Sequence, residues 1–74
     1  MINSRIIRVF KKDIRQNMQQ LIGKETNVKT EDNSVYHGYI LKSDKTHLFL
    51  KNKIRRVIQL EIDNIKEIDY RIFS

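Results

Sequence analysis

Val35-Tyr36-His37-Gly38-Tyr39-Ile40-Leu41 is the stretch on which the fold turns. Before it lies Val28-Lys29-Thr30 and a polar turn, Glu31-Asp32-Asn33-Ser34. After it come Lys42-Ser43-Asp44-Lys45-Thr46 and then His47-Leu48-Phe49-Leu50. β-Branched and aromatic runs between clusters of Asp, Asn and Ser predict three strands joined by two tight turns. Gly38 stands in the middle of the longest strand, where glycine normally weakens pairing. It is tolerated where a strand bends sharply or another backbone comes close. A bent meander with glycine at its centre predicts a small, strongly curved barrel.

Further along, two more strands are expected at residues 57–62 and 65–72, separated by the short turn Asp63-Asn64. In strand two, Val35, His37, Tyr39 and Leu41 point one way and Tyr36, Gly38 and Ile40 the other. Upstream, residues 4–22 read as a helix with Ser4 as N-cap. Ile7, Phe10, Ile14, Met18 and Leu21 recur at three- and four-residue spacing and form its apolar stripe. Gly23 suits the left-handed position that ends such a helix. The predicted architecture is mainly β: an N-terminal helix, then five strands over about residues 24–72, in one domain spanning residues 1–74.

The chain has 74 residues, no cysteine and a formal net charge of +6. A core this small supplies only a few kcal/mol of net stability, so self-association is a natural remedy. Without cysteine there is no disulfide or thiolate metal site. No apolar run approaches the roughly 20 residues that span a bilayer. Residues 1–5 lack a signal-peptide pattern, and a cytoplasmic location is expected.

The positive charge favours an anionic partner, nucleic acid before a membrane surface. Arg5, Arg8, Lys12 and Arg15 follow 3-4-3 spacing and would share one helix face, a candidate phosphate-tracking ridge with Lys11 beside it. Lys51, Lys53, Arg55 and Arg56 form a second basic cluster, and Lys45 with His47 a third. His37 and His47 fall too far apart in the expected register to share a metal. No nucleophile–base arrangement or glycine-rich phosphate loop is present, and Glu61, Asp63, Glu67 and Asp69 read as solubility charges rather than a catalytic pair. These features argue against an enzyme, and no cofactor or small-molecule substrate is indicated.

Taken together, these residues resemble the Sm-like family, and its bacterial Hfq branch most closely. The resemblance rests on the glycine of strand two with an aspartate six residues on (Gly38 and Asp44), the apolar strand Leu48-Phe49-Leu50 and the short turn Asp63-Asn64. It implies an SH3-like, Sm-like antiparallel barrel that assembles into homo-oligomeric rings, hexameric or heptameric. In such rings strand four of one copy pairs with strand five of the next. A small open barrel has two exposed edges, and closing a ring covers both.

The resemblance also implies binding of single-stranded RNA, as a chaperone or regulator. Several family motifs are replaced. Glu61-Ile62-Asp63 stands where Hfq-like proteins carry Tyr-Lys-His, and Thr46 and His47 stand where uracil-contacting residues are usual. Lys29 replaces a purine-stacking tyrosine. Asp44 is retained with an expected structural task at its turn, and His37 occupies a base-reading position. The nucleic-acid residues so expected are Arg5, Arg8, Lys12, Arg15, His37, Lys45, His47, Lys53, Arg55 and Arg56, with binding driven by the RNA backbone. The rival expectation is a barrel that docks another protein and binds no RNA, favoured by the acidic block from Glu61 to Asp69.

Overall fold

The computed structural model describes residues 4–73, and side chains over residues 4–72. The leader-peptide reading therefore falls partly outside the described residues, at residues 1–3. Six strands make one antiparallel sheet in the order β1-β6-β2-β3-β4-β5. They are β1 Ser4–Phe10, β2 Glu25–Thr30, β3 Val35–Ser43, β4 His47–Lys51, β5 Val57–Glu61 and β6 Ile65–Phe73. Two short helices, α1 Lys11–Ile14 and α2 Met18–Leu21, lie between β1 and β2, and a 3-10 turn, Ile62–Asn64, joins β5 to β6. Among the described residues, no helix is long and apolar enough to cross a membrane.

The meander β2–β5 follows the predicted strands closely, because alternating side chains give it one apolar face. Val28, Ile40, Leu48 and Leu50 on that face are fully buried, and Leu60 nearly so. Val35, His37 and Tyr39 of β3 point to the other, outer face. Leu41 is exposed with them, as the alternation predicts, although the register with β4 shifts between Ile40 and Lys42 and places it at a bulge. Asp63-Asn64 does separate two diverging strands, as one turn of 3-10 helix.

The expected helix over residues 4–22 is not there as a unit. Its first third is strand β1, paired with β6 from Ser4↔Phe73 to Phe10↔Glu67. Ile6, Ile7, Val9 and Phe10 are good strand formers, and the exposed border of β6 offers them backbone partners. Local spacing fits either period; long-range hydrogen bonding selects the strand. Ser4 therefore caps no helix, and Phe10, expected in the buried stripe, shares the outward face with Ile6 and Arg8 and is 54% exposed. Helical spacing resumes afterwards, and Ile14, Met18 and Leu21 are buried as expected. Gly23 closes α2 with φ +87°, the left-handed geometry anticipated.

This added strand changes the borders of the sheet. β6 is hydrogen-bonded on both sides, to β1 and to β2. The free edges are β1 and β5 rather than β5 and the last strand. The sheet is open, with six strands where five were expected.

Each hairpin turn is pinned by an Asx side chain accepting amides that lie shortly after it in sequence. Asp32 Oδ1 accepts from Ser34 N at 3.2 Å and from the Thr30 hydroxyl. Asp44 Oδ1 accepts from Thr46 N at 2.9 Å, His47 N at 2.6 Å and Thr46 Oγ1 at 3.2 Å. Asn52 Oδ1 accepts from Ile54 N at 3.1 Å and Arg56 N at 2.9 Å. The structural task expected of Asp44 is thus visible atom by atom.

The amides of Thr46 and His47 hold the Asp44 carboxyl below the usual carboxylate range, and Thr30 and Ser34 do the same for Asp32. A carboxylate whose folded pKa lies below its unfolded one stabilises the fold above the unfolded value, about 3.9. That stability is lost as pH falls through the folded pKa. Thermal unfolding followed from pH 6 to pH 2.5 should show Tm dropping below about pH 4. Asp44→Asn should shrink that drop while lowering Tm at neutral pH. An unchanged acid limb in this variant would show that the Asp44 charge is not coupled to folding.

Candidate nucleic-acid interface

The ten residues expected to contact nucleic acid do not form one surface. With β1 extended, Arg5 and Arg8 point to opposite faces of a strand, while Lys12 sits on α1 and Arg15 directly follows it. The single-signed helical ridge is therefore absent. Two of its members are also engaged by carboxylates: Arg8 Nε lies 3.0 Å from Asp69 and 3.1 Å from Glu67, and Arg15 bonds Asp63 at 3.1 Å. The acidic block read as solubility charge is in large part the counter-charge to these arginines.

A second group gathers at the β3–β4 turn. Arg15 donates to the Lys45 carbonyl at 3.3 Å and shares with Lys45, Ser43 and Asp44 a shallow depression floored by Met18 and Ile62. His47 Nδ1 lies 2.7 Å from Thr46 Oγ1, tied into the Asp44 turn. With Asp44 and Asp63 among these residues, the cations are largely offset locally.

The third group is at the other end of β4, in the hairpin that leads into β5. Lys53, Arg55 and Arg56 are exposed, and among the described residues no ion pair joins them or Lys51 to a carboxylate. From His47 to Glu61 the hairpin carries four such cations against one carboxylate, Glu61. The tip is rigid: beyond the Asn52 side-chain bonds, Asn52 N donates to Arg56 O at 2.9 Å and Arg55 N to Asn52 O at 3.0 Å.

His37 is the expected residue that the structure brings to this group. It lines an open depression of about 410 Å³ with Asn52, Lys53 and Ile54. Its ring is oriented from behind, with Nδ1 donating to Asn27 Oδ1 at 2.7 Å and Nε2 facing Glu25 at 3.5 Å. His37 and His47 stand apart, and no group of metal-ligating side chains is found among the described residues.

The outer face therefore splits into two electrostatic halves. On the β1–β6–β2 side, Arg8 is neutralised by Asp69 and Glu67, which border Asn27 and Lys29 of β2. On the β3–β4–β5 side the cations stand free, so anions are attracted there. Pairing places Tyr39 beside Lys51, and Lys51 beside Val57. Tyr39 was not among the residues singled out from sequence; alternation put it on the face of His37, but nothing local distinguishes an outward tyrosine from a packed one.

Arg55 has φ +64°, a left-handed backbone that favours Gly or Asn and costs other residues roughly 1–2 kcal/mol. Strain held at an exposed position points to a use for that side chain. Arg55→Gly should raise stability by about 0.5–1 kcal/mol, after the added backbone entropy of glycine in the unfolded chain. Loss of stability on chemical denaturation would show that the arginine is held for packing instead. No protein-family model, curated protein or solved structure matches the chain.

Proposed function

We propose that this protein is a cytoplasmic, non-catalytic RNA-binding protein that holds single-stranded RNA by its phosphate backbone on the β4–β5 hairpin and the outer face next to it. The observation behind this reading is the set of unpaired cations Lys51, Lys53, Arg55 and Arg56 on a hairpin locked by Asn52. Fixed cations with no internal counter-charge release condensed counterions when they meet phosphate, and this drives association. A chaperone or regulator needs such sequence-tolerant contact with flexible strands.

The reading includes an Sm-like barrel. It is supported by the order in which the last strand pairs with the first strand of the meander, and by the close approach of the Lys51 backbone at Gly38. It also includes self-association into a closed ring of six or seven copies. Because β6 is already paired on both sides, such a ring would run through the two free edges, β1 of one copy against β5 of the next. Strands β1 and β5 run antiparallel within the sheet, so head-to-tail addition continues the antiparallel order. A ring would also repeat the cationic hairpin and raise avidity for a long strand.

The test is affinity for a short single-stranded RNA across a salt series, with solution mass measured in parallel. Binding should weaken steeply with salt, and the mass should be a multiple of the 9.0 kDa chain. Salt-independent binding, or none at low salt, overturns the RNA reading; a monomer overturns the ring. A protein-docking module is the second reading, favoured by Ile6 and Phe10 standing exposed on edge strand β1. It is preferred if the chain neither binds RNA nor assembles with itself.

A further inference from the structure

Resting on the RNA reading, we infer that Tyr39 is a stacking platform for a nucleobase whose flanking phosphates lie on the β4–β5 hairpin. Tyr39 is 50% exposed in the middle of a sheet face, where a strand position normally gains from covering its ring. Its neighbours across the ladders are Glu25 on one side and Lys51 on the other.

Three of the other described rings are covered. Lys24 lies over Tyr70 at 5.5 Å and Lys42 over Phe49 at 4.9 Å, and Tyr36 packs against the core. Phe10 is exposed, but its ladder neighbour is the carboxylate Glu67, which with Asp69 already holds Arg8. Among the described aromatic residues, Tyr39 alone combines an open ring with adjacent free cations.

Geometry sets a direction for the strand. Glu25 repels phosphate on the β2 side of Tyr39, so the backbone runs on the β4–β5 side, past Lys51 towards Lys53 and Arg56. A base reaching inward from that track meets the face of Tyr39. The next base along the strand has the depression beside His37 and Ile54 within reach. Stacking on an aromatic ring tolerates every base, so this site adds affinity without sequence choice.

The experiment uses the full chain with a fluorescein-labelled twelve-nucleotide oligoadenylate and an abasic strand of equal length. Tyr39→Thr keeps a strand-forming residue and removes the ring; Tyr39→Phe keeps the ring. The expected result is about a tenfold loss of oligoadenylate affinity for Tyr39→Thr at every salt concentration, with the salt slope unchanged. Tyr39→Phe should bind like wild type, and the abasic strand should bind both variants equally. Tyr39→Trp should show indole quenching on oligoadenylate and none on the abasic strand.

If wild type binds with the expected salt slope but Tyr39→Thr binds equally well, the platform is overturned and the backbone reading stands. If wild type binds no oligonucleotide, both fall. If Tyr39→Thr loses affinity for phosphatidylserine vesicles and not for RNA, the face belongs to a lipid surface and the stacking site is overturned.

Discussion

Gly38→Ala is expected to lower Tm by more than about 10 °C, the largest stability effect of any single methyl added to this chain. The reason is a backbone, not a side chain. A Cβ at residue 38 points to the buried face and runs into the Lys51 carbonyl oxygen, with the Lys51 carbonyl carbon at 2.9 Å and Asn52 Cα at 3.2 Å. Carbonyl groups of a paired strand cannot rotate away as a flexible side chain does, so the two strands must separate. Forced overpacking usually costs about 1–3 kcal/mol, and here relief would also break ladder bonds between β3 and β4. A cost of about 3 kcal/mol is a large share of what a domain of this size commands, roughly 4–11 kcal/mol. Gly38→Val should leave little folded protein at room temperature. Because the same clash lifts Lys51 and Asn52, the alanine variant that stays folded in the cold should also bind RNA less well. Near-neutral unfolding of Gly38→Ala would mean that β4 does not cross so closely.

The second large effect concerns charge. Four hairpin cations meeting four phosphates of a single strand predict a slope of log affinity on log salt of about −2.8. Between about 50 and 200 mM salt, wild-type affinity should then fall about fifty-fold. Replacing Lys53, Arg55 and Arg56 together by Gln leaves Lys51 alone and should reduce the slope to about −0.7. At low salt that variant should bind more than about tenfold weaker. Its Tm should hold, because the hairpin is closed by Asn52 and backbone bonds rather than by these side chains. Equal losses of Tm and affinity would show that the cations act through the fold. The control is Arg8→Gln. Arg8 is already bound to Asp69 and Glu67, so its removal should disturb the β1–β6 pair more than RNA binding.

Sequence reading located the hairpin cations but could not rank them above the other basic groups. Arg8 and Arg15 differ from Arg55 and Arg56 only by what folds against them. Asp69 is 61 positions from Arg8 and Asp63 is 48 from Arg15, so no local spacing announces either pair. Tyr39 was missed for the same reason: an outward tyrosine becomes a candidate only once the rings around it are seen to be covered.

The chain's own pattern was sufficient for the meander from β2 to β5, its inward face, the special place of Gly38 and the Asx-pinned turns. Each rests on contacts between near neighbours or on a period of two that survives any context. The fate of residues 4–10 lay beyond it, because apolar residues there satisfy two periods and the choice passes to a partner strand more than 50 positions away. Once β1 docks on β6, the free borders move, the arginine ridge breaks up with Arg8 and Arg15 in ion pairs, and four cations without ion pairs among the described residues stand together on one hairpin. Charge neutralisation depends on distance in space, which the order of residues along a chain does not contain.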